Sequence, residues 1–158
     1  MCLYNVREVG KAKEDIVCYK VLLYATDIFK EPKYITPFEE KEVPYTCIHA
    51  RVPFIAVHKY WETPVTTPAE LKLRGQVGSG FIHTYRSMDD IREEATFYSW
   101  LNNRSGGHVA IFKCIIPKDT LYCRGSGDSD RVSVYASKKI IFEEQLPLPD
   151  FLKEYRNF

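Results

Sequence analysis

The side chains best suited to chemistry in this chain follow a pair of glycines. In Gly78-Ser79-Gly80-Phe81-Ile82-His83-Thr84-Tyr85 the glycines let the backbone approach a ligand closely, and the strand after them delivers His83 and Tyr85 to one face. An imidazole there can hold a ribose hydroxyl, act as a base or fill a polar niche in a core. The segment is not a P-loop, because no Gly-Lys-Ser/Thr follows. Nor is it a dinucleotide fingerprint, because the third glycine and the helix fall in the wrong places. His49 and Arg51 alternate on a second strand face, and a planar guanidinium reads phosphate or carboxylate well. A charged edge strand facing water explains the same pair. The residues expected to contact a ligand are therefore Arg51, Gly78, Gly80, His83 and Tyr85. His83 and Glu143, the latter at a late strand end, are the candidates for catalysis.

Cysteine and metal chemistry are less favoured. Cys2, Cys18, Cys47, Cys114 and Cys123 form no C-x-x-C pair, and the spacing predicts five free, reduced thiols. Cys18 and Cys114 lie in apolar runs, where a thiol packs rather than reacts. Cys114 and Cys123 flank a turn, which would let them face each other across a hairpin. Cys47 and His49 are spaced like two ligands on one strand, but no second pair accompanies them, and no metal is expected. Asp128 and Asp130 lack the glycine and glutamate that complete a calcium loop.

These groups need elements to position them. Residues 15–26 (DIVCYKVLLYAT) are apolar on both alternating sets, which predicts a central strand buried on two faces, with Lys20 as the exception. Six prolines between residues 31 and 68 forbid a long helix there and leave short extended pieces at 46–52 and 54–60. Ser87, a good N-cap with Asp90 three residues on, opens a helix over about 88–102. Its stripe of Ile91, Ala95, Tyr98 and Leu101 faces the sheet, while Glu93 and Glu94 face solvent. Strands follow at 108–116, at 121–124 after the turn Pro117-Lys118-Asp119-Thr120, and in two pieces within 131–142. The tail from Pro149 supports a turn or two of helix. The order lacks regular βαβ alternation, so the expected fold is α+β: a mixed or antiparallel curved sheet with one main helix packed on it. One domain, 1–158, accounts for the length.

Composition narrows the partners. With 22 basic and 21 acidic side chains the formal charge is +1, too balanced for the broad field of a non-specific nucleic-acid binder. No apolar run is long enough to cross a bilayer, and Met1–Lys13 has no apolar core of the secretion type. A cytoplasmic setting is expected.

Three stretches carry a resemblance. Gly80–Tyr85 before a helix, Lys113-Cys114-Ile115-Ile116-Pro117-Lys118-Asp119-Thr120-Leu121-Tyr122, and Tyr135-Ala136-Ser137 resemble segments of small proteins from gut bacteria and their phages, which have no assigned activity. The likeness covers about residues 78–142. A looser echo is of the ADP-ribosyltransferase architecture, onto which His49 or Arg51, Tyr85 or Ser137, and Glu143 can be placed. The first reading is thus a ligand- or partner-binding protein carried by a phage or mobile element. It needs no cofactor and takes a small molecule, such as a nucleotide, or a protein partner. The second is a nucleotide-acting enzyme that uses NAD for ADP-ribosyl transfer. A structural subunit docking through its apolar tail is a third.

Overall fold

The computed structural model describes residues 3–25, 33–35, 60–62, 76–77, 81–104, 109–127 and 129–153. Seven strands have four residues or more: β1 (Leu3–Lys11), β2 (Ile16–Ala25), β6 (Ile82–Tyr85), β7 (Val109–Ile116), β8 (Leu121–Ser126), β9 (Ser133–Ser137) and β10 (Lys139–Leu146). Three are short: β3 (Lys33–Ile35), β4 (Tyr60–Glu62) and β5 (Gln76–Val77). They form one sheet in the order β4-β10-β7-β2-β6-β9-β8-β1-β5, with β3 also beside β2. Every described pairing is antiparallel.

β2 takes the central place its composition demands. It pairs with β7 from Ile16 to Leu23, and its two side-chain sets enter different cores. Val21 belongs to the cluster holding Tyr85, Ile111, Val134, Ala136 and the helical Ile91, Ala95 and Tyr98. Cys18 and Leu22 belong to the other, with Ile82, Phe112, Cys114, Tyr135, Ile140 and Phe142. Both faces of the sheet therefore bury apolar surface, the condition under which a strand loses its polar alternation.

β1 is stranger. Its pairing with β8 shifts register between Tyr4 and Arg7 and again between Arg7 and Gly10, and Asn5 and Glu8 take φ values of 53° and 51°. Each shift is a bulge, one extra residue that turns the following side chain to the opposite face. Two bulges three residues apart convert the usual two-residue period into three, so Leu3, Val6 and Val9 all pack on the helix-side core.

One expectation is corrected. Residues 88–102 are not one main helix but part of two, α1 (Met88–Glu93) and α2 (Ala95–Arg104). The break falls at Glu94 (φ −105°, ψ 18°), whose N–H turns back to the carbonyls of Ile91 and Arg92. Glu94 does not face solvent as expected: its carboxylate accepts the hydroxyl of Tyr85, which also meets that of Tyr98. Among the described residues the fold is sheet-dominated, with only short helices. The expected stripe nevertheless packs inward, with Ile91, Ala95 and Tyr98 buried; the side chain of Leu101 lies outside the described residues. The Ser87 cap also forms, as a complete capping box with Asp90. A third short helix, α3 (Asp150–Lys153), packs on α2.

The Pro117–Thr120 turn does not make a hairpin. β7 and β8 are separated in the sheet by β2, β6 and β9, so Cys114 and Cys123 do not face each other. The corner is tied to the β1–β2 turn instead, through Ala12 N–H to the Thr120 carbonyl (2.9 Å) and Asp119 N–H to the Ala12 carbonyl (2.8 Å). No helix among the described residues is long and apolar enough to cross a membrane.

Candidate functional site

Arg51, Gly78 and Gly80 lie outside the described residues, as do His49, Cys2 and Cys47. His83 is on β6, nearly buried, with Nδ1 3.1 Å from the Phe81 carbonyl. Tyr85, on the same strand, is fully buried with its hydroxyl engaged by Glu94 and Tyr98, and burial holds its phenol well above the ordinary range. Glu143 is the extra residue of a bulge in β10 and pairs with Lys113 at 3.4 Å. β7 and β2 stand between it and His83, a separation of about 14 Å at ~4.8 Å per strand. The structure does not bring the two catalytic candidates together.

A different set of polar side chains does come together. It starts at the opening between β2 and β6, whose only paired residues are Tyr19 and Tyr85. Beyond them β6 leaves β2, and β3 takes up that edge only from Leu23. Lys20 fills the gap: nearly buried, it donates its Nζ to the His83 carbonyl at 2.8 Å. A buried ammonium is costly unless well partnered, so this charge in the middle of an apolar strand has a structural reason.

From Lys20 a row of polar side chains crosses the sheet. Continuing the Tyr19–Tyr85 register by one step sets Lys20 beside Thr84. Thr84 is then opposite Tyr135, Tyr135 opposite Arg124, and Arg124 opposite Arg7. Residues directly opposite share a face, so five strands contribute to one line. Arg86, two residues beyond Thr84, is on the same side, and its backbone N–H is held by the Ser133 carbonyl at 3.0 Å. Ser133 in turn donates its N–H to Asp90 at 2.8 Å, so the capping carboxylate of α1 also fixes the base of Arg86.

The row's electrostatics centre on Tyr135. Burial pushes its phenol up, and the guanidiniums of Arg86 and Arg124 pull it back. Tyr122, whose ring meets that of Tyr135 edge-on at 6.2 Å, is raised by burial and by the Glu8 carboxylate. Arg124 is paired with Glu8 at 3.0 Å. Arg7 and Arg86 make no ion pair among the described residues. Thr84 is fully buried, and its side chain lies against the Cys18 thiol.

The thiols are not placed for nucleophilic work. Cys18, Cys114 and Cys123 are free and buried. Burial pushes the Cys18 thiol up to about 12 and that of Cys123 to about 11, and raises Cys114 as well. Cys18 and Cys114 stand directly opposite each other across β2 and β7, a neighbour relation that spacing in sequence does not reveal. Among the described residues no group of three His, Cys, Asp or Glu side chains is placed to hold a metal ion.

Sequence reasoning named Tyr135 and Ser137 but missed Arg86, Arg124, Arg7 and Lys20 as a set. Alternation does put Tyr122 and Arg124 on one face of β8. Nothing in the local sequence says that this face continues onto β9 rather than β7. No family model, curated protein or solved structure matches the chain, so function is argued from the site alone.

Proposed function

We propose that this is a ligand-binding protein without chemistry of its own, whose ligand carries an anionic group seated by Arg86 and Arg124 beside Tyr135. The observation that carries the reading is Arg124 of β8 directly opposite Tyr135 of β9, with Arg86, one residue past the end of β6, acting on the same phenol and making no ion pair among the described residues. Forked donors from the two sides of β9 suit planar or tetrahedral anions, and a rigid sheet holds them in place before binding. The side chains that catalysis would need are otherwise engaged: Tyr85 with Glu94 and Tyr98, Glu143 with Lys113, and Cys18 among apolar neighbours.

Thermal-shift measurements with NAD, cyclic nucleotides and nucleotide sugars test this. A wild-type shift that disappears in Arg86→Ala and Arg124→Ala is expected, while His83→Ala keeps the shift. No wild-type shift with any anion would refute the reading. Turnover of NAD, lost in His83→Ala and Glu143→Gln, would replace it with the ADP-ribosyl-transfer enzyme.

A further inference from the structure

Glu8 holds the position that an anionic ligand would need. It sits at the second bulge of β1 with φ 51°, in the left-handed region that is uncommon for residues other than glycine. From there its Oε1 reaches Arg124 Nη2 at 3.0 Å, and its carboxylate lies against the Tyr122 hydroxyl. The side chain is half exposed, so it can leave by side-chain rotation, without moving the strand.

The arginines around it break a rule of sheet construction. Arg7 and Arg124 are direct cross-strand partners, and like charges in that relation destabilise a sheet. Such local violations concentrate where function needs them. Arg86 adds a third guanidinium two strands from Arg124. Asp90, the buried carboxylate near Arg86, is already committed to the Ser87 and Ser133 amides. Among the described residues, three guanidiniums stand against the single carboxylate of Glu8, an excess of two positive charges.

We infer that the group this site takes is a phosphoryl dianion, and that Glu8 is a resident counter-ion which the ligand displaces from Arg124. The inference rests on the anion-binding reading above and names its ligand chemistry. A carboxylate would only exchange with Glu8, charge for charge. A phosphoryl group brings a second charge and a third oxygen, enough to engage Arg124 by a fork and Arg7 or Arg86 besides. Glu8 thereby sets a threshold: weak monoanions do not displace it.

The test is calorimetric titration of wild type, Glu8→Gln and Arg124→Ala with inorganic phosphate and, separately, with acetate. Glu8→Gln is close to isosteric at a half-exposed position, and an unchanged thermal midpoint establishes that it is folded. Phosphate should bind wild type, bind Glu8→Gln about fivefold more tightly, the factor matching one half-exposed ion pair, and fail on Arg124→Ala. Equal phosphate affinity in wild type and Glu8→Gln would overturn the role of Glu8 while leaving the binding site in place. Acetate binding wild type as well as phosphate does would overturn the phosphoryl assignment. No binding of either anion to wild type or to Glu8→Gln would remove the site itself.

Discussion

Replacing Asp90 by alanine should destabilise the protein more than its place at the start of a six-residue helix suggests. Its carboxylate accepts three hydrogen bonds: Ser87 N–H at 2.9 Å, the Ser87 hydroxyl at 2.7 Å and, from 43 residues away, Ser133 N–H at 2.8 Å. Loss of the Ser87 contact is a capping loss of about 1 kcal/mol, since water reaches that half-buried amide. The Ser133 amide loses a charge-assisted bond inside a β-strand, about 2 kcal/mol. The expected total is about 3 kcal/mol, which at a urea slope of roughly 2 kcal/mol/M moves the midpoint down by about 1.5 M. Asparagine offers an oxygen to one amide and an N–H to the other, so Asp90→Asn should lose about half as much. Equilibrium unfolding in urea, followed by circular dichroism and intrinsic fluorescence, measures both variants. An Asp90→Ala midpoint within about 0.3 M of wild type, with the slope unchanged, would refute the account. Because Ser133 also holds the Arg86 backbone, the same variant should weaken phosphate binding even under conditions where it remains folded.

Two further outcomes follow from the core. A Cβ at Gly125 would fall on the Tyr4 carbonyl oxygen and the Leu3 side chain, and a backbone oxygen in a paired strand cannot give way cheaply. Gly125→Ala should therefore cost about 2 kcal/mol in urea unfolding; a neutral result would show that β1 does not cross β8 so closely. A buried thiol adds to the alkaline sensitivity. The folded Cys18 holds its proton up to about 12 against 9.0 for an unperturbed thiol. Stability from this group is thus complete below about pH 9 and falls as pH rises towards 12, by about 1.4 kcal/mol per unit at most. Unfolding at pH 8 and pH 10 should show a smaller drop for Cys18→Ala than for wild type, and equal drops would count against the burial argument.

Local signals were legible in the sequence; long-range pairings were not. The apolar double face of residues 18–22, the Ser87 cap and the inward stripe of Ile91, Ala95 and Tyr98 are short-range features, and each appears as expected, while Val17 at the start of the same strand is exposed. The break at Glu94 was hidden because the contact that goes with it is to a tyrosine hydroxyl nine residues earlier, across the packing interface. β1 was missed for a related reason. Read at a two-residue period, LYNVREVGK looks polar and patternless; read at three, it is an apolar stripe packed on the core, and only the bulges at Asn5 and Glu8 produce that period. Of the sequence-derived site, His83 and Tyr85 are on the expected strand but serve the sheet and its core.

The basic row shows why such a site escapes a reading along the chain. Its members come from five strands that are adjacent in the order β2-β6-β9-β8-β1, an order unrelated to their sequence order. The Pro117–Thr120 turn reads as a hairpin connection, and a hairpin would have placed Arg124 against β7. The corner is instead captured by Ala12, through two backbone bonds under 3 Å, and those bonds carry β8 away to β9 and β1. Arg124 thereby arrives beside Tyr135 and opposite Arg7. A like-charge pair of this kind destabilises the sheet unless something offsets it, and Glu8 offsets only part. The bulge that holds Glu8 and the crossing that brings in Arg124 thus belong to one arrangement, in which the β1–β8 pair carries more positive charge than its own carboxylate neutralises. On the proposed reading an anion answers that excess, whereas on an ordinary solvated edge charges of both signs alternate and compensate locally.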